Sequence, residues 1–189
     1  TAMWSRIEMG FLMRDHIAVT SAVRNGARIA SASADAGPAD CTVRADPSAP
    51  CAPATAPMLA QLAADAMQTT GSAMPMNRVQ EIWIFNADPD GNPNTGDEVP
   101  SACATKCVAF QWVPAAGTDP NAGRFRYLRG AWNEATIRTC ATRADRVGVR
   151  MIADHPFMTG LFRDIEVSDS AIMTFEPEPV DTCEPTSTT

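Results

Sequence analysis

The sequence predicts an α+β fold: a long N-terminal α-helix packed on a small antiparallel β-sheet. Three observations predict it. Residues 1–34 hold no proline and no cluster of turn formers, and Ala, Met, Arg, Ile and Leu recur through them, residues that mostly favour helix. From Arg78 onward, β-branched and aromatic runs with polar–apolar alternation take over, the signature of strands. The connections between those runs are short, which suits antiparallel neighbours.

In the first helix, Ile7, Phe11 and Ala18 recur at helical intervals, and Leu12, Val19, Val23, Gly26 and Ala30 form a second stripe of smaller residues. Arg24 and Arg28 stand one turn apart on one face. Asn25-Gly26 would mark a hairpin between strands, but no alternating segments flank it, so it stays helical. Residues 35–57 are a loop rich in Ala, Asp, Pro and Ser that holds Cys41 and Cys51. Residues 57–70 predict a second helix, with Pro57 in its first turn and Met58, Leu59, Leu62 and Met67 as its apolar face.

Val79, Ile82, Trp83, Ile84 and Phe85 predict a buried strand, followed by a turn-rich loop over 86–101. Residues 106–113 alternate as a second strand, 124–129 as a weak or edge strand, and 131–142 predict a short helix. Residues 146–154 predict a half-buried strand, with Val147, Val149 and Met151 on one side and Arg146, Gly148, Arg150 and Ile152 on the other. A helical turn over 157–162 and a last strand over 165–175 follow, and then a tail rich in Pro, Glu, Thr and Ser.

Charge and cysteine content narrow the function. The net charge is −7 and aromatic residues make up 6%, with Tyr127 the single tyrosine. Nucleic-acid partners are not expected, because they select a basic face and stacking platforms. The six cysteines Cys41, Cys51, Cys103, Cys107, Cys140 and Cys183 read as three disulfides in an oxidising compartment. Local pairing is favoured: Cys41 with Cys51, Cys103 with Cys107, and Cys140 with Cys183. Zinc would need a second close pair or a nearby His beside Cys103-x3-Cys107, and neither is present. Residues 1–17 lean apolar, but Arg6, Glu8, Arg14 and Asp15 interrupt them, so they do not make a span of ~20 apolar residues.

No catalytic constellation stands out, and no cofactor or metal is expected. His16 lies in the long helix and His155 ends a strand before Pro156. Neither has a nucleophile elbow near it. Glu81, Glu134 and Glu166 read as isolated carboxylates without the pairing that a glycosidase needs. An exported hydrolase using His155 is therefore the weakest reading. The run from Asp88 to Asp97, with Asp90, Asn92 and Asn94 between, alternates oxygen side chains as a hard cation requires. It departs from the calcium loop in the place of Gly91 and in lacking the closing glutamate, and turns favour the same residues for backbone reasons. A calcium-stabilised loop at 88–97 in a secreted or surface adhesion module is the alternative reading.

The run Thr20-Ser-Ala-Val-Arg-Asn-Gly-Ala-Arg-Ile-Ala-Ser31 resembles the segment after the membrane helix in TadE-like proteins of the tight-adherence (Tad) pilus systems. Gly26, Ala27, Arg28, Ile29 and Ala30 match that family's small-residue stretch. Val79–Phe85 with the following Asp-Gly-Asn-Pro turn resembles the central strand and turn of longer members. Val147–His155, then Pro156, Phe157, Leu161 and Phe162, then Ser168–Pro177, resemble the family's closing strand, helix and strand.

The resemblance implies a non-enzymatic, pseudopilin-like subunit, anchored in the membrane by an apolar helix that would lie ahead of Thr1. Its domain would face outward from the cell envelope or sit in an extracellular filament. Residues 1–34 would then be the membrane-proximal stalk and 35–189 a disulfide-stapled extracytoplasmic domain. The implied partners are other pilin-like or membrane subunits, or further copies of the chain. The helix face Val19, Val23, Gly26, Ala27 and Ala30 is expected to pack on a helix of another chain. On that expectation, Gly26→Leu would block assembly and leave the monomer folded.

Overall fold

The computed structural model describes residues 2–39, 55–70, 74–93, 103–115, 122–140, 143–157 and 164–177. Helix α1 is Ala2–Ser31 and α2 is Met58–Thr70. Five strands follow: β1 Val79–Ala87, β2 Cys107–Pro114, β3 Gly123–Ala131, β4 Arg146–His155 and β5 Ile165–Thr174. They form one antiparallel sheet in the order β3-β2-β1-β4-β5. Both helices cover the same face. α1 lies over β4 and β5, α2 over β3, and the helices pack on each other. The predicted α+β class, its long first helix and its second helix are therefore present.

The alternation in each strand decides what fills the core. Ile82, Ile84, Phe110, Phe125, Val147, Val149 and Met151 point toward the helices and join Val19, Val23, Leu59 and Met67 in the main cluster. Trp83, Phe85, Cys107 and Ala109 form a second, smaller cluster on the opposite face. β1 is thus buried on both sides, as its unbroken Ile-Trp-Ile-Phe run requires. Phe85 lies across its register partner Gly148, where a Cβ would collide with the ring.

One predicted element needs correction. The helix expected over 131–142 is instead one 3-10 turn, Glu134–Thr136, while Ala131 still pairs in β3. The Asn133 side chain accepts a hydrogen bond from the Ala135 N–H, the local capping contact that competes with helix propagation. The β-branched Thr136 and Ile137 then give the segment little helical drive. The strand expected over 124–129 as weak or edge is the edge strand β3, nine residues long. Phe125 and Tyr127 are buried between the arginines, and a register shift at Ala109/Phe110 adjusts the pairing. Gly130, the last residue but one of β3, has φ +98°, and the Cys107 carbonyl occupies the place of its missing Cβ.

The disulfide expected between Cys103 and Cys107 is formed. Cys140 is also disulfide-bonded. Cys41, Cys51 and Cys183, the helical turn expected to reach Phe162, and the tail lie outside the described residues. So do 40–54, the greater part of the first loop. The ends of that loop are held together: the Ala39 N–H donates to the Ala56 carbonyl and the Met58 N–H to the Gly37 carbonyl.

Glu81 is not the isolated carboxylate that the sequence suggests. It accepts both terminal nitrogens of Arg129 at 2.7 Å and Trp83 Nε1 at 2.6 Å. Partial burial works to raise its pKa, but the bonds from Arg129 and Trp83 and the Arg129 charge outweigh this, and the pKa is lowered. A carboxylate whose folded pKa lies below its unfolded value stabilises above the unfolded pKa. That contribution is lost as pH falls through the folded pKa. Glu81→Gln is expected to flatten the acid side of the stability–pH curve. At neutral pH it should cost less than about 1 kcal/mol, because the pair is partly exposed. Urea melts between pH 3 and pH 7 measure both effects.

Candidate functional site

The small-residue stripe of α1 is not an outward face. Val19, Val23, Ala27 and Ala30 have no exposed surface, and Gly26 is buried beside Met67 and Val149. A Cβ on Gly26 would stand 2.7 Å from Met67 Cγ and 3.3 Å from Val149 Cγ1. The expectation that this face packs on a second chain is corrected. The small residues let α1 approach its own α2 and β4, so the close packing is internal.

The N-terminal half of α1 is built the other way round. Asp15 is 1% exposed and Glu8 is 5% exposed, both turned toward the body. Met9, Met13 and Ile17 are 66%, 63% and 59% exposed, and they stand at successive i, i+4 positions on one outward face. Ile7 and Phe11 are also exposed. Here a surface helix shows its apolar residues to the outside and its acids to the inside, the reverse of the usual arrangement.

The inward acid has a reason to be there. Asp15 Oδ2 lies 2.7 Å from His155 Nδ1, at the end of β4, and 3.5 Å from Arg78 Nη1. Arg14 Nη2 lies 3.5 Å from Asp15 Oδ1. A carboxylate only accepts, so His155 donates through its Nδ1–H. The His155 ring also meets Phe157 edge-on at 5.2 Å. Asp15 thus fastens the first turns of α1 to the end of the sheet. The residues lining the small cavity beside the pair, about 110 Å³, include Glu8, Phe11, Arg14, Arg78 and His155. Among the described residues, no Ser, Cys or Thr lines it.

A sequence signal for this cluster exists. Glu8, Leu12, Asp15 and Val19 are spaced four, three and four apart, so they share one helix face. The core stripe continues toward the N-terminus with acids in place of apolar residues. The basic partners are less legible, because Arg78 and His155 come from distant chain segments.

On the outer side, Met9, Leu12 and Met13 face Ile165 and Val167 of β5 across an open groove of about 510 Å³. His16 also lines this groove, and it is not part of the Asp15 cluster. In the loop after β1, Asp88 Oδ1 accepts the Asn92 N–H at 2.8 Å, and the Gly91 N–H donates to the Asp88 carbonyl. These are turn contacts. Asn94 and Asp97 lie outside the described residues. Among the described residues, no group of three His, Cys, Asp or Glu side chains is placed to hold a metal ion. No helix among them is long and apolar enough to cross a membrane.

Compared with known proteins, the chain matches no family model, no curated protein and no solved structure.

Proposed function

We propose that this protein is a TadE-like, non-enzymatic subunit of a Tad-type pilus, anchored at the membrane and acting in pilus assembly or as a minor pilin-like component. One observation carries the proposal: the outward apolar stripe Met9–Met13–Ile17 at the N-terminal end of a 30-residue helix. Exposed apolar side chains on consecutive helical turns suit contact with apolar surroundings, such as partner helices or lipid. The sheet domain behind the helix keeps the first turns in place through Asp15, so that stripe is presented in a fixed direction.

The cysteines support an extracytoplasmic location. The Cys103–Cys107 bond and the bonded Cys140 suit an oxidising compartment. The resemblance at Thr20–Ser31 supplies the family. In this reading Gly26 and its neighbours belong to the subunit's own core, and the assembly contacts lie on the first half of the helix. Deleting the gene in the source organism tests the proposal. Surface filaments, counted by electron microscopy, are expected to disappear and to return with the wild-type gene. Unchanged filament number after deletion would exclude the role.

A further inference from the structure

We infer that the outward face of α1 docks on an anionic lipid bilayer surface, with its apolar stripe in the headgroup boundary and its arginines on lipid phosphates. The stripe has basic ends. Arg6, Met13, Ile17, Arg24 and Arg28 are seven, four, seven and four residues apart, spacings that keep them on one line along a helix. All five are exposed, and Arg14 is exposed beside them. The charged residues of the helix are Arg6, Glu8, Arg14, Asp15, Arg24 and Arg28. Both acids are buried, so every charge that α1 shows outward is an arginine. This occurs in a chain whose net charge is −7.

Charge complementarity selects the occupant. A symmetric contact between two copies of this face would set arginine against arginine with no acid from either helix to neutralise it. An anionic bilayer has the matching sign and also accepts the apolar part. Met and Ile side chains can enter the acyl boundary while guanidinium groups pair with phosphate oxygens. Glu166 lines the groove on the β5 side, so acid is confined to the strand wall and the helix wall is free of it. The inference stands apart from the pilus assignment, because it concerns the chain alone on lipid.

The test is flotation of the disulfide-bonded 189-residue chain with two vesicle types. One is phosphatidylcholine alone and the other contains about 30% phosphatidylglycerol. Binding is expected to be at least about tenfold stronger on the anionic vesicles and to weaken steeply with salt. R24Q/R28Q, two exposed positions, should lower it by about fivefold per arginine. M13E/I17E should abolish it without changing the thermal midpoint. Equal binding to both vesicle types, or binding that R24Q/R28Q leaves unchanged, would overturn the inference. So would absence of vesicle binding together with a concentration-dependent oligomer that M13E/I17E dissolves, which would make a second copy the occupant. Loss of filaments on gene deletion without vesicle binding would refute the lipid contact and leave the pilus reading in place.

Discussion

Asp15→Ala is expected to destabilise the folded protein by about 2–3 kcal/mol, the cost of leaving a buried donor without its charged acceptor. The carboxylate is 1% exposed and its partner His155 is 3% exposed. Without it, the Nδ1–H of His155 loses its acceptor in a closed site, and Arg78 loses the charge it faces at 3.5 Å. For a domain of this size the thermal midpoint should fall by roughly 5–10 °C. Asp15→Asn keeps an acceptor oxygen and should fall less. A double-mutant cycle with His155→Ala identifies the cause, since neighbours that act through one contact do not add. A loss below about 1 kcal/mol for Asp15→Ala would show that the cluster does not hold the helix.

Gly26→Leu should be the second large effect, and its target is the fold. The helix passes over Met67 and Val149 with no room for a side chain. Overpacking of this kind costs about 1–3 kcal/mol, and the gain of up to about 1 kcal/mol from replacing glycine in a helix offsets part of it. The net expectation is a loss of about 1–2 kcal/mol, read from denaturant melts. Gly10→Ala is the matched control. Nothing lies within 4 Å of a Cβ at Gly10, so the helix propensity gain should appear unopposed. Stabilisation by Gly26→Leu would mean that the α1–α2 approach is looser than described.

The contrast between these two glycines explains how far the sequence could be read. Periodicity marked α1, α2 and four of the strands clearly, because period and burial agree in them. Val147, Val149 and Met151 alternate into the core as their spacing required. β3 was less visible, since five of its nine residues are Arg or Gly and the pairing with β2 supplies what local propensity lacks. The segment after it misled for the opposite reason: Ala, Trp and Glu suggest a helix, but Asn133 and the β-branched residues close it after one turn.

Small residues in a helix signal a close approach without naming the partner. For Val19, Val23, Gly26, Ala27 and Ala30, that partner is the chain's own second helix and sheet. The Asp15–His155 pair joins residues 140 positions apart, a contact that only the topology creates. The outward stripe was half legible. Its apolar residues were visible, but its direction depends on Glu8 and Asp15 facing inward.

The central claim is that the outward stripe of α1 serves assembly while the inward side serves the fold. Filament counts in the deletion strain complemented with M13E/I17E test it most directly, with accumulation and thermal midpoint checked in the same protein. The account predicts wild-type levels of folded protein and no filaments. Normal filament numbers from that variant would contradict it.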